Sequence, residues 1–196
     1  MKTLITEFIS LDGVVQAPGG PREDTDGGFR HGGWSMKYFD PEVMGGTYDE
    51  LAGSSDALLQ GRRTYQVSST AWPNRSGDPF SDWINSTQKY VVSDTLNQSD
   101  IVWNPTSIIR SADLVSKITE LREQPGGYIY LYGSPTLVKT MMANDLVDEL
   151  LLTIEPVILG GGKTIFSDNG SKLEWELVSA AEAKTGAQVC RYARVR

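Results

Sequence analysis

Asp56-Ala57-Leu58-Leu59-Gln60-Gly61-Arg62-Arg63-Thr64-Tyr65 is the stretch on which the fold turns. Its apolar run has the length of a strand, and the glycine that ends it gives way to residues that open a helix. Such a junction presents unpaired backbone N–H groups and the positive end of the helix dipole, which together bind phosphate. Arg62 and Arg63 add positive charge there, and the Thr64 hydroxyl can hydrogen-bond a phosphate oxygen. An ordinary helix start with solvated arginines is the other reading of the same residues.

Further along, Tyr128-Ile129-Tyr130-Leu131-Tyr132 repeats the pattern and runs into Gly133-Ser134-Pro135. Gly133 allows a tight turn that a ligand can approach, Ser134 can cap the helix or bind, and Pro135 suits the first helical turn. Plain capping accounts for this junction as well. A third strand, Lys89 to Ser93, ends beside Thr95, and the three strand ends together favour one dinucleotide spread across the carboxyl edge of a sheet. Arginines in place of an acidic ribose clamp suggest a 2′-phosphate, hence NADPH. Asp94 would oppose that phosphate if it pointed inward.

Strands alternating with helices imply an α/β fold with a largely parallel sheet. A first strand covers about Thr3 to Ile9. Asp40-Pro41 opens a helix reaching about Ala52, and a short helix follows Asp78-Pro79. Ile101-Val102-Trp103 reads as a further strand before Asn104-Pro105. Ser111 caps a helix with Leu114, Val115, Ile118 and Leu121 on one face, stopped at Pro125-Gly126-Gly127. The helix after Gly133 carries Leu137, Val138, Met141 and Met142. Val147 to Ile154 is apolar enough for mid-sheet, and Leu173 to Val195 reads as an antiparallel hairpin around Thr185-Gly186. One domain over 1–196 is expected.

The 196 residues carry a net charge of -7 and no basic stripe, so neither nucleic acid nor a membrane is an expected partner. With Cys190 and His31 each the sole residue of its type, a disulfide within the chain and a Cys/His zinc site are both excluded, and no metal is expected. No run approaches the roughly 20 apolar residues of a membrane span, and a reducing cytoplasm suits the chain. Gly162-Lys163-Thr164 imitates the end of a phosphate loop, but that motif needs glycine at position 157, where Val157 stands. An ordinary dinucleotide-binding domain is disfavoured too, because no Gly-x-Gly-x-x-Gly follows the first strand.

Five segments in order carry a family resemblance: Ser10-Leu11-Asp12-Gly13, Gly61-Arg62-x-Thr64-Tyr65, Lys89-Tyr90-Val91-Val92-Ser93, Tyr132-Gly133-Ser134 and Pro156-Val157-Ile158-Leu159-Gly160-Gly161-Gly162. Over essentially the whole chain they resemble the dihydrofolate reductase-like family, above all stand-alone relatives of the riboflavin-biosynthesis (RibD) C-terminal reductase domain. The resemblance implies a mixed, mostly parallel sheet flanked by helices with a C-terminal antiparallel hairpin. It also implies NADPH as hydride donor and a homodimer. Gly61, Arg62, Arg63 and Thr64 would face the adenosine phosphate side, Ser93 the 2′-phosphate, and Gly133 and Ser134 the pyrophosphate, while Gly160, Gly161 and Gly162 would pass close to the cofactor.

A long loop, 14–39, departs from the riboflavin reductase pattern, so the substrate side must be read from its own residues. Asp12 is the expected polar, catalytic anchor near the substrate, or else the end of a strand in an Asp-Gly turn. Trp34 and Phe29 can close over a flat heteroaromatic ring, with glycines as hinges, though Trp34 also suits core packing. His31 reads as a solvated loop residue, and Glu155 either faces the site or lies at a strand edge. The expected activity is NADPH-dependent hydride transfer to a pteridine- or pyrimidine-like small molecule, as in 5-amino-6-(5-phosphoribosylamino)uracil reductase or dihydrofolate reductase. The alternative is a non-catalytic nucleotide- or ligand-binding module of the same fold.

Overall fold

The computed structural model describes residues 1–196 and divides the chain into two compact units, each discontinuous in sequence. The first comprises Met1–Ile5 with Thr47–Asp148, and the second Thr6–Gly46 with Glu149–Arg196. No helix is long and apolar enough to cross a membrane.

In the first unit, strands β2 (Ser55–Gly61), β3 (Gln88–Val92), β4 (Thr106–Ile109) and β5 (Tyr128–Tyr132) alternate with helices α2 (Arg62–Ala71), α3 (Pro79–Ser86), α4 (Leu114–Glu123) and α5 (Pro135–Ala143), after an opening helix α1 (Gly46–Gly53). β2 is paired in parallel with β3 on one side and β5 on the other, with Gly61 opposite Val92 and Leu59 opposite Leu131. β4 extends the parallel set beyond β3. Because the strands share one direction, Gly61, Ser93 and Gly133 all emerge at the same carboxyl edge.

Local chemistry explains the elements. Asp78 accepts the Ser81 N–H and Pro79 takes the first helical position, so α3 starts where its sequence dictates. All four apolar residues expected on α5 are buried. On α4, Leu114, Ile118 and Leu121 are buried, but Val115 is 42% exposed, because it lies one position round from the inward face. Ser111 does not cap that helix with its side chain; it sits in a 3₁₀ turn, and its N–H donates to Asp94. Nor do Ile101-Val102-Trp103 form a strand. The N–H groups of Val102 and Trp103 both donate to the Tyr65 hydroxyl, which removes them from any ladder, and the strand begins only at Thr106.

In the second unit, β6 (Glu149–Glu155) pairs antiparallel with β8 (Gln188–Arg194), which pairs antiparallel with β7 (Trp175–Glu182). Gly186, at φ 86°, makes the hairpin turn. β1 (Lys2–Ser10) runs through both units, and the eight strands follow the order β4-β3-β2-β5-β1-β6-β8-β7. The sheet is therefore mixed and mostly parallel, with the expected terminal hairpin.

The 14–39 loop is built rather than loose. Val14, Val15, Ala17, Trp34 and Ser35 are buried, and the Gly33 and Ser35 N–H groups donate to Ala17 and Pro18. A Cβ on Gly32 would lie 2.6 Å from the Gly20 carbonyl oxygen. Glycine at position 32 is therefore required for close backbone packing.

Candidate functional site

The two helix starts read from the sequence are stitched together by one side chain. Ser134 Oγ accepts the Gly61 N–H at 2.7 Å and donates to Thr64 Oγ1 at 2.7 Å. Ser134 has a left-handed backbone, φ 61°, and gives α5 no side-chain cap, so of its two expected options capping is not the one adopted. Gly133 must approach closely as well: at φ 62°, a Cβ there would sit 3.1 Å from both Thr64 Cγ2 and Oγ1. Since Thr64 accepts from Ser134, its own O–H proton is directed elsewhere and can meet an anion. Arg62 and Arg63 are exposed at the first turn of α2, where a helix leaves N–H groups without intrahelical partners.

Ser93 is buried at the end of β3, and its Oγ accepts the N–H groups of Thr95 and Leu96, making a local turn that leaves Thr95 exposed. Arg110 braces the same turn by donating from Nη1 to the carbonyls of Ser93 and Leu96 at 2.7 and 2.9 Å. No motif marked Arg110 in the sequence; only the parallel pairing of β3 with β4 brings it there. Asp94 is engaged by Ser111, whose hydrogen bonds hold its carboxyl below the usual range. Arg110→Ala is expected to cost about 1 kcal/mol in urea unfolding, since two carbonyls lose a charged donor. An unchanged midpoint would show that the turn stands without it.

In the second unit, Asp12 follows β1. Its Oδ1 accepts Ser10 Oγ at 2.6 Å and the Leu159 N–H at 3.1 Å, while Oδ2 accepts the Gly160 N–H at 2.8 Å. These bonds, that of Ser10 foremost, keep the carboxyl below its ordinary range and hence ionised at neutral pH. Asp12 thus anchors the glycine run. Gly160, Gly161 and Gly162 all have positive φ, and a Cβ on Gly162 would lie 2.6 Å from Val14 Cγ1 and 3.1 Å from Phe29 Cε2.

Two cavities open beside this run. Phe29, His31, Gln16 and Gly160 to Gly162 line one of about 480 Å³, within the usual range for small-ligand sites. Trp34, Met36, Lys37, Val157 and Leu159 line another of about 420 Å³, to which His31 also belongs. Trp34 is locked by donation from Nε1 to the Gln16 carbonyl at 2.8 Å. Phe29 and Trp34 therefore sit on different cavities instead of closing jointly over one ring.

Glu155, at the end of β6, is fully buried. Its Oε1 accepts Ser35 Oγ at 2.6 Å, and its Oε2 has no hydrogen-bond partner. Burial pushes its carboxyl up to about 7, against the opposing pull of Ser35 and Lys37. It stands at the end of its strand, as one of its two readings in sequence has it, but enclosed and not solvated.

Residues 2–189 match the family model of the RibD C-terminal domain. The uncharacterized protein YyaP of Bacillus subtilis (strain 168) is 28% identical over 183 residues, covering 91% of this chain and 87% of YyaP. Among solved structures, a putative riboflavin biosynthesis protein from Shewanella sp. PV-4 superposes with a TM-score of 0.74 at 18% identity over the full length of both chains. Dihydrofolate reductase from Enterococcus faecalis, complexed with NADP(H), superposes with a TM-score of 0.62 at 14% identity, covering 100% of this chain and 97% of that one.

Proposed function

The chain belongs to the family of the RibD C-terminal domain, and on that premise we propose that it is an NADPH-dependent reductase acting on a pteridine- or pyrimidine-like small molecule. The observation that carries the reading is the Ser134 hydroxyl, which ties Gly61 to Thr64 beside exposed Arg62 and Arg63. The residues suit a dinucleotide phosphate: a helix start, a hydroxyl with its proton to give, two guanidinium groups, and a nearby Asp94 already engaged by Ser111.

Bound NADPH would supply a hydride. The chain's own share is to bind, orient and exclude. Arg62 and Arg63, with the turn formed by Ser93 and Thr95, are assigned to the adenosine-side phosphates, and Gly133 and Ser134 to the pyrophosphate. Asp12 positions Gly160 to Gly162, and the ring to be reduced is assigned to the 420 Å³ cavity of the second unit, where Trp34 offers a flat apolar wall.

Isothermal titration tests the cofactor. NADPH should bind in the micromolar range, and Arg62→Ala should weaken it about tenfold while leaving NADH unchanged, the loss of one charge-assisted contact. Equal affinities for NADH and NADPH in both proteins would remove the 2′-phosphate assignment, and absence of NADPH binding would remove the reductase reading. Binding with no turnover of pterins, aminouracils or small carbonyls would make the chain a nucleotide-binding module instead.

A further inference from the structure

Hydride addition to a C=N or C=C bond places an electron pair on the neighbouring atom, which must then take up a proton. Asp12, held ionised by three hydrogen bonds, is not a proton donor at neutral pH. We propose that Glu155 and Ser35 form a proton relay behind the Trp34–Met36 wall of the 420 Å³ cavity, delivering to the substrate the proton that follows the hydride. The inference rests on the reductase reading above.

Four observations converge on this pair. Ser35 lies between Trp34 and Met36, both of which line the cavity, and Glu155 lies two residues before Val157, which lines it as well. The carboxyl is fully buried, yet one oxygen has no partner, an arrangement costly for a carboxylate and tolerable for the neutral acid. No cation bonds to it. Of the charged groups on the elements around it, Arg191 of β8 is bound to Glu149 of β6, Glu7 lies on β1, and only Lys37 of the loop pulls appreciably on Glu155.

The transfer balances without any outside reagent. With Glu155 protonated, its carboxyl O–H donates to Ser35 Oγ across the same 2.6 Å, and the Ser35 O–H turns toward the cavity. As hydride arrives, a water in the cavity gives its proton to the substrate atom bearing the new electron pair, the Ser35 proton moves to that water, and the Glu155 proton moves to Ser35. Glu155 is left as a carboxylate, which water reprotonates after product leaves. Ser35, just behind the cavity lining, is the positioning residue that hands the proton on, and Glu155 acts through it.

Two measurements on the full chain decide the matter. Isotope-edited infrared titration of the protein without cofactor should show a carboxyl titrating near pH 7, absent in Glu155→Gln. Titration of Glu155 in the ordinary carboxylate range would overturn the proposal. Single-turnover NADPH oxidation with a dihydropterin and with a diaminouracil should slow above about pH 7 in the wild type. Glu155→Gln should be about 100-fold slower with a flat profile, with NADPH affinity unaltered. Ser35→Ala should follow it, and Ser35→Thr should restore the rate to within a few fold.

A Glu155→Gln protein that keeps the wild-type rate and alkaline limb overturns the relay and leaves the reductase reading standing. Loss of that limb in His31→Ala, with Glu155→Gln unaffected, assigns the proton to the loop histidine and overturns the relay too. A wild type that oxidises no NADPH with either compound overturns the reductase reading and the relay together.

Discussion

Gly127→Ala is expected to destabilise the chain by about 4 kcal/mol, a larger loss than most single substitutions cause. Gly127 lies just before β5, and a Cβ added there would stand 1.9 Å from the Ser54 carbonyl oxygen. That oxygen cannot yield freely, since it accepts the Tyr128 N–H at the point where β5 begins to pair with β2. The Gly127 N–H and carbonyl are both engaged as well, by Asp56 and by the Lys2 N–H. Relief of the clash must therefore open the first β2–β5 hydrogen bond or displace the entry to β1, adding about 1 kcal/mol per lost bond to the strain. Urea unfolding should show the loss directly, and the melting temperature should fall by roughly 10 °C for a chain of this size. A midpoint within experimental error of the wild type would mean that the approach of Gly127 to Ser54 is not a fixed feature of the fold.

Glu155 should give the chain an unusual dependence of stability on pH. An unfolded glutamate releases its proton near 4.5, whereas the buried carboxyl holds it to about 7. Between those values the folded chain binds a proton that the unfolded chain has lost, so stability declines as pH rises through the window and levels off above it. At about 1.4 kcal/mol per pH unit, the decline attributable to this one group is about 3 kcal/mol. Glu155→Gln removes it while keeping an acceptor for Ser35. The difference between wild-type and variant unfolding free energies, measured from pH 4.5 to 8, isolates the effect, because every other carboxyl cancels. Asp12, Asp40, Asp78 and Asp94 act in the opposite direction, since hydrogen bonds lower their carboxyls, and their contributions are lost only as pH falls below the ordinary aspartate range. A difference that stays flat across the window would show that Glu155 is ionised in the folded chain.

Much of the framework was legible before the fold was seen, because the signals are local. The strand ending at Gly61, the strand from Tyr128 to Tyr132 and the apolar face of α5 are set by residues a few positions apart, and they stand where the periodicity placed them. Where local signals misled, a partner distant in the chain had overridden them. Val102 and Trp103 have strand-forming side chains, but the Tyr65 hydroxyl, 37 and 38 positions away, takes their N–H groups. Ser111 has a capping side chain, but its backbone is held by Asp94.

The sequence by itself determined the order of strands and helices, the three strand ends of the carboxyl edge, and the cationic residues beside them, since each depends on neighbours in the chain. Only the tertiary structure decided which groups act together. Ser134 meets Gly61 across 73 positions, Asp12 meets Gly160 across 148, and Ser35 meets Glu155 across 120. A hydrogen bond is set by distance in space and a carboxyl's acidity by its removal from water, and neither quantity exists until the chain has folded.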